Sequence, residues 1–212
     1  MYIPTHFKPD DAEVRELLQR HGAADLVTQT AKGLLASMLP FVYDPAGGHL
    51  GTLRGHFARN NEQWRLPAEG EAMAIVRGPD AYISPSWYAT KRQHGRVVPT
   101  WNYITAHVYG RLAIHDDPAW VAGNVRELTE KYEAGRHPAW SVDDAPASYV
   151  EGQLRAIVGV ELVIGRIEAK FKLSQNRPAE DVEGVVFGLT VDGDGAMAEA
   201  VKLTRAGRDA SS

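Results

Sequence analysis

The chain has 212 residues, 44% of them hydrophobic and 24% charged, a composition of globular proteins with enough length for a substantial core. Its 23 Lys and Arg against 27 Asp and Glu give a formal net charge of −4, which argues against a phosphate-hungry nucleic-acid surface; the densest basic clusters, Lys91-Arg92-Gln93-His94-Gly95-Arg96 and 202–208, are short. The absence of cysteine excludes disulfides, thiolate metal sites and thiol nucleophiles, no apolar run is long enough to span a bilayer, and the first residues lack a secretory signal, so a cytoplasmic protein is expected.

In chain order, Pro9-Asp10-Asp11 followed by Glu13 predicts a helix start, because an aspartate can satisfy free N–H groups of a first turn, and that helix is expected to run to His21 before Gly22. Strand-like runs at 27–30 and 34–43 are joined by Ala31-Lys32-Gly33, and the turn Asp44-Pro45-Ala46-Gly47-Gly48 leads to a further strand at 49–55. The stretch ARNNEQWRLP, 58–67, predicts a short helix, and strands at 72–77 and 81–84 flank the turn Gly78-Pro79-Asp80. A loop then precedes a long strand over 96–115 and a helix from Pro118 to about Ala134, capped by Asp116 or Asp117. Residues 147–155 suggest a short helix, and AIVGVELVIGRIEAKF returns to β-branched strand composition. The tail shows an acidic, glycine-punctuated stretch, a helical segment at 196–205 and an end, 207–212, expected to fray. About six antiparallel strands with peripheral helices predict a mainly β protein with α additions, a small closed or half-closed barrel, as a single domain over 1–212 with a helical tail at 178–212.

The stretch VVPTWNYITAHVYG, 97–110, divides by parity. Its even positions, Val98, Thr100, Asn102, Ile104, Ala106, Val108 and Gly110, suit a narrow interior except at Thr100 and Asn102. The odd positions include Trp101, Tyr103, His107 and Tyr109, amphipathic rings whose exposure forfeits about 1.5–3 kcal/mol each, so a helix of the chain, a second subunit or a flat ligand should cover them. His56, Arg59, Asn60 and Asn61 fall where a strand passes into a helix, a place suited to an anion, although a cap and an ordinary buried histidine explain them as well. Ser84, Ser86, Tyr88 and Lys91 surround Trp87, and Lys172, Ser174, Gln175, Asn176 and Arg177 end a strand in quick succession. No GxGxxG, P-loop, HExxH or G-x-S-x-G is present, and the histidines lack metal-ligand spacing.

Taken in order, MYIPTHF, LPFVYD, GHFARNNEQW, AYISPSWY, VPTWNYITAHVYG and KLSQNR resemble the PaiB-type, FMN-binding negative transcriptional regulators, over residues 1 to about 181. The resemblance implies a split β-barrel related to pyridoxamine-phosphate-oxidase-like flavoproteins, forming a homodimer with FMN at the subunit interface. It implies a phosphate site at His56, Arg59, Asn60 and Asn61, with Ser37, Met38 and Leu39 beside the isoalloxazine. Trp101, Asn102 and Tyr103 would close over the flavin, with Lys172, Gln175 and Asn176 nearby. A regulator or redox sensor is the implied function; an FMN-dependent oxidoreductase or flavin reductase, or a scaffold that has lost FMN or takes another flat cofactor such as haem, are the alternatives. Direct DNA binding is not supported by the acidic balance or by any helix-turn-helix pattern.

Overall fold

The computed structural model describes residues 1–20 and 22–209. Its strands are β1 (Ala23–Thr30), β2 (Gly33–Pro40), β3 (Val42–Asp44), β4 (Thr52–Ala58), β5 (Ala72–Ile83), β6 (Thr100–His115) and β7 (Ile157–Lys172). The α-helices are α1 (Asp11–Arg20), α2 (Thr90–His94), α3 (Pro118–Glu133), α4 (Ala147–Arg155), α5 (Ala179–Val191) and α6 (Gly195–Asp209). The strands form an open seven-stranded sheet in the order β2-β1-β5-β6-β7-β4-β3. The chain divides into two compact units: unit one comprises Met1–Val14, Arg77–Ala106 and the chain from Ala169, and unit two comprises Arg15–Val76 and His107–Glu168.

In unit two, Gly33 takes a φ of 101°, which a side chain would resist, and closes an antiparallel hairpin running from Thr30↔Gly33 to Ala23↔Pro40. Leu26, Leu53, Phe57, Val158, Val160 and Leu162 are buried by strand alternation and supply much of its core. The cap of α3 is Asp117, whose carboxylate accepts the Trp120 N–H at 2.9 Å. Trp120 stacks on His115 with ring centroids 4.1 Å apart and lies over Gly159, where any Cβ would fall 2.3 Å from the indole.

In unit one, the Asp10 carboxylate accepts the N–H groups of Ala12 and Glu13, both at 2.8 Å, and Glu13 returns a bond to Asp10 N–H at 2.9 Å. The core here is Ile83, Tyr88, Ala106, Val185, Leu189, Met197 and Val201. Asp181 is fully buried and accepts from Thr90 at its N–H, 2.9 Å, and its hydroxyl, 2.8 Å.

Several boundaries differ from expectation for identifiable reasons. The run at 34–43 breaks at the buried Phe41, since Pro40 has no N–H with which to continue the ladder, so β2 pairs with β1 and β3 with β4. The next strand begins at Thr52 rather than 49, because Gly51 is a left-handed turn residue (φ 87°) packed against Tyr43. Only Glu62–Arg65 of the expected helix at 58–67 forms, as a 3-10 turn capped by Asn61. The expected turn at Gly78-Pro79-Asp80 is absent: β5 runs straight through, and the Asp80 carboxylate takes the Trp101 indole N–H at 2.8 Å. β6 begins at Thr100 after Pro99, so Val98 is off the strand and exposed, and Ile104 is only half-buried. The acidic stretch of the tail is the helix α5, and α6 continues to Asp209; the expected helix end at His21 and the last residues of the expected frayed end, 210–212, lie outside the described residues.

Candidate functional site

In unit two, β2 and the turn after β4 bring Ser37 and Asn61 together. The Asn61 amide donates to the Ser37 hydroxyl at 2.9 Å, while its carbonyl oxygen caps Gln63 N–H at 2.9 Å. Arg59 is spent within the protein: its guanidinium reaches Asp116 at 2.6 and 3.1 Å and the carbonyl oxygens of Arg155 at 2.7 Å and Ile157 at 3.0 Å. Those bonds hold the Asp116 carboxyl below the usual carboxylate range. Asn60 is exposed, Leu39 is buried, and Met38 is 72% exposed. Arg59 thus anchors its turn, while Asn61 joins that turn to Ser37 on β2.

His56 lines a cavity of about 270 Å³ with Pro40, Leu128, Tyr132, Glu133 and Trp140. Burial pushes its pKa down, and its Nδ1 is covered without a hydrogen-bond partner. The cavity's other polar groups serve the protein: the Tyr132 hydroxyl donates to Gly22 O at 2.6 Å, and Glu133 accepts from Trp140 N–H at 3.0 Å. A neutral imidazole in an aromatic wall is therefore what this cavity offers.

In unit one, the end of β7 meets the start of β6. The Lys172 ammonium donates to the Thr100 hydroxyl and to Trp101 O, the latter at 2.6 Å. Burial, then the like charges of Lys170 and Arg177, push its pKa down. Asn102, fully buried, exchanges hydrogen bonds with the Ser174 hydroxyl at 3.0 and 3.3 Å, and Ser174 itself is left-handed, with φ 63°. Trp101 remains 48% exposed and meets Tyr82 edge-on at 6.2 Å, while the half-buried Tyr103 has the Lys170 ammonium 5.5 Å from its centroid. Gln175 is used locally, accepting Leu173 N–H at 2.7 Å and donating to Phe171 O at 2.6 Å; Asn176 is exposed.

Each unit therefore draws together part of the expected set: Ser37 with Asn61 in one, and Trp101, Asn102, Tyr103 and Lys172 in the other. Sequence reasoning missed Lys170, which alternation places on the same parity as Lys172, and missed Asp116 as the partner of Arg59. The partner of Arg59 lies 57 residues away, and no local pattern marks it.

The chain is similar to several known proteins. Residues 1–166 match the family described as "Putative FMN-binding domain". "Protease synthase and sporulation protein PAI 2" of Bacillus subtilis is 34% identical over 191 residues, covering 89% of this chain and 89% of its own. Among solved structures, the conserved hypothetical protein Rv2991 of Mycobacterium tuberculosis superposes with a TM-score of 0.58 at 12% identity, over 84% of this chain and 94% of its own. The flavocytochrome Anf3 of Azotobacter vinelandii superposes with a TM-score of 0.54 at 15% identity, over 76% of this chain and 67% of its own.

Proposed function

Because this chain belongs to the FMN-binding-domain family that its residues 1–166 match, and has the split-barrel fold, we propose that it is a homodimeric FMN protein acting in the cytoplasm as a transcriptional regulator or redox sensor. When bound, FMN supplies reversible electron transfer at its ring system. The donor set suits such a group. Its phosphate needs cations and amide donors, and Lys172 is a half-buried ammonium crowded by two like charges, with no carboxylate among its described partners. That crowding is the observation that carries the reading, since an anion beside Lys172 relieves it.

Two sets of contacts follow, each within one unit. In unit one, Lys172 supplies charge, Trp101 an exposed indole for stacking, Tyr103 a second ring, and Asn102 fixes Ser174. Gln175 holds the loop that carries Asn176. In unit two, Asn60, Asn61, Ser37 and His56 supply neutral donors, Met38 and Leu39 flank Ser37, and Arg59 positions the turn through Asp116.

The second subunit is supported by the outward face of β1, β2 and β5 within unit two. Leu34 and Met38 are 71% and 72% exposed on the edge strand β2, Ala36 is exposed between them, and the half-buried Val27 and Met73 continue the apolar surface. A face of this kind calls for a partner. The acidic chain favours regulation through a protein partner over direct DNA contact.

Titration of apo-protein with FMN, followed by absorption and by quenching of flavin fluorescence, tests the reading. Saturation at one FMN per chain is expected, with affinity at least tenfold weaker in Lys172→Met; a colourless protein that takes up no FMN overturns it. Gel shifts against genomic fragments at two salt concentrations test the indirect mode, and salt-dependent binding would overturn that part. The His56 cavity favours a second reading, an FMN-dependent oxidoreductase of a small molecule, which requires the holo-protein to consume NADH or NADPH.

A further inference from the structure

Around the turn from β7 into α5, unit one gathers more positive charge than it neutralises. Lys170, Lys172 and Arg177 form no ion pair with a carboxylate among the described residues; their contacts are carbonyl oxygens, a hydroxyl and aromatic rings. Of the acids of α5, Asp181 is bonded to Thr90, Glu183 pairs with Arg205 at 3.1 Å, and Glu180 is exposed. Half-buried cations held close together are unfavourable until an anion joins them. Even with Lys172 given to FMN, Arg177 is left without a counter-charge.

Beside Arg177 lies a cavity of about 180 Å³, lined by Ser174, Gln175, Arg177, Val182, Thr204 and Arg205. Its wall is built rather than incidental. The left-handed Ser174 is held by its exchange with Asn102, and the Gln175 side chain clips the backbone at Leu173 and Phe171. The Arg177 guanidinium lies 4.4 Å from the ring centroid of the buried Tyr88, a contact that restrains the fork. The volume is below the roughly 300–1,000 Å³ of pockets that enclose drug-sized ligands, and suits a tetrahedral oxyanion.

We propose that this cavity binds a small phosphate-class oxyanion, with Arg177 supplying charge and forked donors and Thr204 a hydroxyl. The lining, residues 173–205, lies beyond the matched 1–166, and the proposal does not rest on the FMN reading. The group is either inorganic phosphate or the phosphate end of a small monoester.

Calorimetric titration of the full-length protein with inorganic phosphate, and separately with glycerol phosphate, in low-salt buffer free of other oxyanions tests it. Saturable binding is expected, at least tenfold weaker in Arg177→Met and several-fold weaker in Thr204→Val, with FMN affinity unchanged in Thr204→Val; the tighter of the two ligands identifies the source. Thermal melts without ligand report whether Arg177→Met folds, and Thr204→Val decides if it does not. Absence of saturable binding by the wild type, unchanged binding in the folded variants, or one-for-one displacement of phosphate by FMN overturns the proposal. A protein that takes phosphate but no FMN leaves this site standing and removes the flavin reading, and the reverse result does the opposite.

Discussion

Individual side chains carry two consequences for stability. His56 is held below its ordinary pKa of 6.5 by burial, whereas in the unfolded chain the ring takes up a proton near that value. The folded pKa is the depressed one, so the contribution of His56 is fully present above about pH 6.5 and is lost as pH falls through the folded value. His107, lowered first by burial, acts in the same sense. In urea melts at about pH 7.5 and about pH 5, the wild type should lose more stability on acidification than His56→Gln; equal losses would show that the buried ring is not responsible. Asp181 makes the other residue-scale case, because it accepts both Thr90 donors in a fully buried place. Asp181→Ala strands both donors and should cost about 3 kcal/mol in urea unfolding at neutral pH, with Asp181→Asn costing less because one acceptor survives. At this scale the donors and rings expected at 37, 61, 101–103 and 172 were legible as residue types. Their partners were not, since Asp116 and Ser174 are brought to Arg59 and Asn102 by the fold.

At the scale of elements, parity within the long strand was readable: Asn102, Ala106, Val108 and Gly110 are buried on one face of β6. On the odd face the rings meet side chains distant in sequence. Trp101 turns to Asp80 and Tyr82, and Tyr103 to Lys170, so neighbouring side chains cover part of it, with 48% of Trp101 still exposed. Within the tail expected to be helical, the bounds of α5 were hidden for a different reason. Glycine disfavours helix locally, and Gly184 and Gly188 punctuate the segment; both let Trp87 pack onto the helix. A Cβ at Gly184 would fall 1.9 Å from the Trp87 backbone oxygen, and one at Gly188 would fall 2.2 Å from its indole. Both substitutions to alanine remove a helix-unfavourable glycine, a gain of about 1 kcal/mol, yet overpacking of about 1–3 kcal/mol or more should outweigh it. Gly184→Ala should be the worse in chemical denaturation, because a backbone oxygen cannot rotate aside as an indole can. A stabilised Gly184→Ala would mean that Trp87 does not seat on α5.

For the whole molecule, hydrophobic alternation identified a mainly β protein, but not that β5, β6, β7 and β4 are neighbours in that order, since such pairing depends on contacts distant in sequence. The family resemblance filled that gap by bringing a complete fold with it. It also brought the expectation of a dimer, which can be tested on the exposed face of β2. Placing Leu34 and Met38 in contact with a second copy would gain about 1.5–3 kcal/mol per buried side chain. In a two-fold interface every residue is used twice, so one charged substitution introduces two desolvated charges. Leu34→Asp with Met38→Asp should therefore convert the dimer to monomer in sedimentation velocity at micromolar concentration. Far-UV circular dichroism should be unchanged, because both side chains point away from the core. The charges also blunt an edge strand that would otherwise pair nonspecifically, so the variant should stay soluble. A wild type that sediments as a monomer removes the dimer. A variant that stays dimeric moves the seam to another surface, for which the half-exposed Trp101 is the next residue to substitute.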